Sequence, residues 1–206
     1  MADNVVVADE AVDLSRRKFL TNATIATGAV GAVFVAVPFV ESWTPSERAR
    51  ALGAPTDLDI TKIDPGQMTI ITWRRQPIYV VRRTPEMVQH LQGHDGDLKD
   101  PTSSESKQPD YAKNVQRSRT AEYLVLIGTC THLGCLPKQR FEAASAEMGP
   151  TWPGGYFCPC HGSRFDLAGR VFKGSPASVN LVVPPYEYPN EKTLRVGADE
   201  TEKGAA

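Results

Sequence analysis

Residues 130–135 read Cys-Thr-His-Leu-Gly-Cys and residues 158–163 read Cys-Pro-Cys-His-Gly-Ser. Together they hold all four cysteines and two of the four histidines of a 206-residue chain. Each stretch offers a Cys and a His at ligand spacing, Cys130-x-His132 in the first and Cys158-x-x-His161 in the second. Each also has one cysteine to spare, Cys135 and Cys160. Both follow a strand-like run, YLVLIG (123–128) and GYFC (155–158), so a sheet is expected to present the two loops at one end.

Three chemistries compete for these residues. A tetrahedral zinc site needs only Cys130, His132, Cys158 and His161. Two disulfides suit an exported chain but leave both histidines unexplained. A two-iron, two-sulfide cluster with two Cys on one iron and two His on the other finds a place for all six.

Outward from the loops the pattern is of short strands. MTIITW (68–73) and PIYVVRR (77–83) precede them; RVFKG (170–174), NLVVPP (180–185) and TLRVG (193–197) follow, with turn signals at Ala168-Gly169 and Pro189-Asn190-Glu191. Such a run predicts an antiparallel β domain rather than alternating βα units. Residues 85–120 interrupt it: PEMVQHL predicts a short helix and GHDGDLKDPTSSESKQPD a polar surface loop. His90 and His94 lie there, and Gly93, Gly96 and the lack of a nearby Cys make them solvated surface histidines rather than metal ligands.

The N-terminal part has a different character. Residues 1–14 are acidic, Arg16, Arg17 and Lys18 follow, and the 22 residues 19–40 carry no charge. As a helix this run reaches roughly 33 Å, enough for a hydrocarbon core of about 30 Å, with its threonines bonded back to helix carbonyls. The basic cluster marks the cytoplasmic side and sends residues 41–206 across the membrane. Ser15-Arg16-Arg17-Lys18-Phe19-Leu20 has the form of the twin-arginine export signal, which carries folded proteins. Ala49-Arg50-Ala51 has the form of a cleavage site, but the apolar run exceeds a signal-peptide core and reads as an uncleaved anchor. The expected organisation is a cytoplasmic tail with the twin-arginine motif (1–18), a transmembrane anchor (19–40), a flexible tether (41–56) and a head (57–206).

Residues 41–206 carry 20 basic and 20 acidic side chains. That balance fits a water-soluble head and argues against a nucleic-acid binder. Four cysteines are too few for a disulfide-dense scaffold.

The boxes CTHLGC and CPCHGS resemble the two cluster-binding boxes of Rieske iron–sulfur proteins. With the twin-arginine anchor, the tether, WRRQPIYVVRRTPE (73–86) and the 85–120 insertion, residues 14–197 are similar to the bacterial Rieske subunits of the cytochrome bc complexes. The resemblance implies an all-β Rieske domain, antiparallel sheets with a small cluster-binding subdomain, behind a single transmembrane α-helix. It implies one [2Fe–2S] cluster on Cys130, His132, Cys158 and His161, and a disulfide between Cys135 and Cys160. His161 would face the quinol with His132 beside it near the exposed tip, and Leu133 would pack at the rim of the quinol pocket while Gly134 shapes the loop. Gly174-Ser175-Pro176-Ala177 resembles the proline loop, with Pro176 covering the cluster. Ser163 would donate a hydrogen bond to a cluster sulfide. Phe165 stands where the family often has a tyrosine that bonds a ligand sulfur, so the potential should lie below that of tyrosine-bearing relatives.

Neutral imidazoles in place of two thiolates favour the reduced state, within about −150 to +300 mV. The implied activity is electron transfer from membrane quinol to a c-type cytochrome, in a proton-translocating oxidoreductase. Its partners would be a cytochrome b subunit and a c-type cytochrome subunit in a dimeric complex of the bacterial cytoplasmic membrane, with the head on the periplasmic side. The small Rieske subunit of a periplasmic oxidase such as arsenite oxidase is the alternative, though it would lack the 85–120 insertion.

Overall fold

The computed structural model describes residues 13–199; residues 1–12 of the expected tail and 200–206 of the expected head lie outside the described residues. The chain forms two compact units that divide between residues 50 and 51.

The first unit is built on α1 (Leu14–Glu41), whose residues are all exposed. Asp13 caps it, its carboxylate accepting from the amides of Ser15 and Arg16, which satisfies two of the free N–H groups of the first turn. Thr21, Thr24 and Thr27 donate their hydroxyls to the carbonyls four residues back at 2.8–2.9 Å, so none asks for a partner in an apolar medium. The helix is long and apolar enough to cross a membrane. Arg16 and Arg17 sit in its first turn, inside the helix rather than ahead of it. Part of the expected tether is regular too: α2 spans Glu47–Gly53 and contains the Ala49-Arg50-Ala51 tripeptide.

Among its described residues the head carries three antiparallel three-stranded sheets. In the first, β1 (Thr56–Asp59) pairs with β9 (Thr193–Val196), and β9 with β8 (Tyr186–Asn190). In the second, β3 (Gln76–Arg82) lies between β2 (Met68–Trp73) and β4 (Tyr123–Ile127). Ile78 to Val81 and Leu124 to Leu126 are all at most 3% exposed, so both faces of β3 and β4 are covered, as their unbroken apolar runs require. β2 and β3 are joined by Arg74 and Arg75 alone, with φ of 48° and 62°, a two-residue hairpin turn made without the usual Asn-Gly. Arg74 offsets part of that cost by lying 4.5 Å over the Trp73 ring. The third sheet is small: β5 (Lys138–Arg140), β6 (Gly155–Phe157) and β7 (Arg164–Asp166). Loop 130–135 lies just before β5, and loop 158–163 joins β6 to β7.

Two expected strands are absent. Residues 170–174 make only isolated bridges, Phe165 with Val171 and Leu98 with Phe172. Residues 180–185 are irregular, their backbone answered by Gly169, Ile127 and Lys107. Strands β1, β5 and β8 are short and polar, and periodicity does not reveal them.

The 85–120 insertion is more than a surface loop. After α3 (Pro85–Gln89) it wraps the 171–181 segment. The side chain of Asn180 donates to the Asp100 carbonyl and Ser103 Oγ, both at 2.9 Å, and accepts from the Val171 amide at 2.8 Å. His90 is exposed as expected, but His94 is not a solvated surface histidine. Its side chain is 12% exposed, stacks on Phe172, and places Nε2 3.3 Å from the buried carboxylate of Asp166. Asp166 also accepts from Arg170 Nε at 2.7 Å and from the amides of Ala168 and Arg170. Burial pushes the Asp166 carboxyl up, but His94 and Arg170 outweigh it and hold the group below its ordinary value.

Removing one member of a buried ion pair costs about 3–5 kcal/mol, so Asp166→Asn should lose that much in urea unfolding at pH 7. In the wild type the carboxylate's contribution is complete above the unfolded-state pKa of about 4 and is lost as pH falls through the lower folded-state value. The urea midpoint should therefore drop in acid for wild type, and by less for Asp166→Asn.

Candidate metal centre

The two loops repeat one backbone design. In the first, the amide of Cys130 donates to the Cys135 carbonyl at 2.7 Å and that of Gly134 to the Cys130 carbonyl at 2.9 Å. In the second, Cys158 donates to Ser163 at 2.8 Å and Gly162 to Cys158 at 2.9 Å. Gly134 and Gly162 take φ of 80° and 78°, a left-handed conformation that side chains disfavour. Each loop therefore places a glycine four residues after its cysteine, with the histidine second in one and third in the other.

Cys135 and Cys160 form the expected disulfide, with Cα atoms 6.6 Å apart. Cys130 and Cys158 are free, and only 4% and 2% exposed. The sulfur of Cys158 lies within 4.8 Å of both disulfide sulfurs. The rings of His132 and His161 meet edge to face with centroids 4.7 Å apart; His132 is half-buried and His161 exposed. The free thiols thus lie inward and the imidazoles outward.

Burial pushes the Cys130 thiol above its ordinary value, the amide of His132 acts against this, and the neighbouring Cys158 thiol raises it further. Two adjacent buried sulfurs ionise together only beside a cation. Thiolate and imidazole donors suit iron or zinc, and two of each fit a [2Fe–2S] cluster with both kinds of ligand.

The surrounding residues fall into a shell. Ser163 is fully buried and its Oγ accepts from the Ala177 amide at 3.0 Å, which leaves its hydroxyl hydrogen free to donate. Phe165 is fully buried in the core cluster that includes Cys130 and Cys158. Leu133 is 71% exposed. In the 174–177 loop Pro176 is exposed while Ser175 and Ala177 are buried. Sequence reasoning missed three supports. Thr131 Oγ1 donates to the Val179 carbonyl at 2.6 Å, Tyr79 Oη to the Pro137 carbonyl at 2.9 Å, and Lys99 Nζ to two carbonyls of the 174–177 loop. Only Thr131, lying inside a box, had a position that could have flagged it.

Residues 57–187 match the Rieske [2Fe-2S] domain. Residues 7–46 match the model described as "Ubiquitinol-cytochrome C reductase Fe-S subunit TAT signal". The ubiquinol-cytochrome c reductase iron-sulfur subunit of Allochromatium vinosum is 52% identical over 190 residues, 92% of each chain. That of Blastochloris viridis is 41% identical over 194 residues, 94% of this chain and 98% of its own. A chain of a solved hyperthermophilic respiratory Complex III is 26% identical with a TM-score of 0.47, over 84% of this chain and 98% of that one.

With Cys160→Ser the two loops lose their covalent tie. Cluster content after purification should fall and its decay at room temperature should quicken, both read from visible absorbance. Equal content and lifetime in mutant and wild type would mean that the cross-link does not support the site.

Proposed function

The chain belongs to the Rieske iron–sulfur subunits of ubiquinol–cytochrome c reductase, and from that premise we infer that it takes single electrons from a membrane quinol and delivers them to a c-type cytochrome. One observation carries the site reading: two buried free cysteines and two touching histidines are carried by two loops that a disulfide cross-links at the end of a small sheet. Cys130 and Cys158 would hold one iron from within, and His132 and His161 the other at the surface. When bound, the cluster accepts one electron and passes it on.

The remaining work falls to side chains. His161 is exposed, so the ring nitrogen not given to iron would be open to accept a hydrogen bond from a quinol hydroxyl and then hold the proton that leaves with the electron. Leu133 and nearby Leu136, 71% and 55% exposed, offer an apolar rim to a quinol pocket on a cytochrome b subunit. Ser163 Oγ would donate its hydrogen to the sulfurs at the site, which would favour the reduced state of a bound cluster. Residues 14–41 anchor the chain, and Arg16 and Arg17 direct export of the folded head to the periplasmic side of a bacterial cytoplasmic membrane. The 41–56 segment lets the head visit separate donor and acceptor sites, within a dimeric complex.

Detergent extraction of the native membrane followed by purification through this chain tests the reading. Haem b and haem c should copurify with a Rieske electron-spin-resonance signal, and quinol should reduce the signal's iron. A cluster signal without either haem would overturn the assignment.

Phe165 sets a second expectation. A tyrosine there could donate to a ligand sulfur and stabilise the reduced cluster over the oxidised one. If the redox-dependent part of that bond is about 1 kcal/mol, a one-electron couple rises by roughly 40 mV. Voltammetry of Phe165→Tyr should show an increase of tens of millivolts, with folding nearly unchanged; an equal or lower potential would mean that this ring does not face the cluster.

A further inference from the structure

Lys99 lies in the insertion, far in sequence from either box. Its backbone is fixed: the Lys99 amide donates to the Val171 carbonyl at 2.9 Å, and Lys173 donates to Asp97 at 2.8 Å. Leu98 between them is 1% exposed and bridges Phe172. From this strip the Lys99 ammonium reaches the carbonyls of Ser175 and Ala177, at 2.6 and 2.7 Å. The same two residues are tied to the second box. Ser175 Oγ accepts from the Arg164 amide at 3.1 Å, and the Ala177 amide donates to Ser163 Oγ at 3.0 Å. The 174–177 loop is thus held between one cation on one side and Ser163 Oγ and the Arg164 amide on the other.

We propose that Lys99 is a positioning residue for the cluster, clamping the 174–177 loop so that Ala177 occupies the acceptor side of Ser163 and turns its hydroxyl hydrogen toward the ligand sulfurs. This rests on the reading of loops 130–135 and 158–163 as cluster-binding. An ammonium suits the task because its three donors can bridge two carbonyls from one point. Charge-assisted bonds of this length are among the stronger ones. Without the clamp, Ala177 drifts, Ser163 is free to rotate, and the bond that favours the reduced cluster weakens.

Lys99→Met keeps the length of the stem and removes the ammonium; Lys99→Arg keeps the charge and the donors. In the full chain, hydrogen exchange at the Ala177 amide should quicken by about tenfold in Lys99→Met. The cluster's midpoint potential should fall, shifting the oxidised-to-reduced ratio at fixed ambient potential by about threefold. Lys99→Arg should restore most of both. Wild-type exchange at Ala177 in Lys99→Met would overturn the clamp, and faster exchange with an unmoved potential would overturn its link to Ser163. A wild-type chain without a Rieske signal would instead overturn the cluster reading, while exchange at Ala177 would still report on the clamp.

Discussion

Two buried free cysteines and two paired imidazoles are presented by two loops that lack regular secondary structure. Each loop is first closed on itself, by a cysteine amide to the carbonyl five residues on and a glycine amide back to the cysteine carbonyl. The Cys135–Cys160 disulfide then ties loop to loop across a sequence separation of 25. In the chain-entropy account a link of that span contributes about 3.5 kcal/mol, by restricting the unfolded state. It acts where backbone pairing is sparse, so the hold of one loop on the other depends on it more than on any sheet.

Beneath the loops the head solves a second problem, stray carbonyls in irregular chain. Arg83 and Arg117 are 2% and 0% exposed, and burial pushes each guanidinium down to about 10, still charged at neutral pH. Their partners are mostly carbonyls: Gln116, Leu167 and Ala121 for Arg83, and Ala168, Gly169 and Leu181 for Arg117. Fixed donor forks thus satisfy acceptors that no ladder reaches. Arg170 is different in kind, paired with buried Asp166 and with Asp95. It joins the insertion to β7, the strand that leaves the second box.

The boxes, the apolar strands and the membrane-length helix were legible because each carries a local pattern: ligand spacing, β-branched runs, an uncharged stretch of sufficient length. The threonine back-bonding of α1 followed from chemistry alone. Strands β1, β5 and β8 were not legible, since sequences such as Thr-Asp-Leu-Asp and Lys-Gln-Arg owe their conformation to pairing partners far along the chain. Residues 180–185 failed in the opposite sense. Leu181, Val182 and Val183 look like a strand, yet Pro184 and Pro185 remove donors, and tertiary hydrogen bonds supply what a ladder would have given. His94 was misjudged for a related reason: its glycine-rich surroundings suggest solvent, while its partner Asp166 lies 72 residues on. Of the site itself, the two boxes and the disulfide were visible, but the residues that hold the boxes in place carry no motif.

The one-residue offset of the histidines inside otherwise matched loops has a geometric outcome. With the histidine second in one loop and third in the other, His132 is half enclosed and His161 stands open. The tip therefore has a front and a back, and a molecule arriving from solvent meets one imidazole before the other. A doubled loop becomes a site with a single direction of approach.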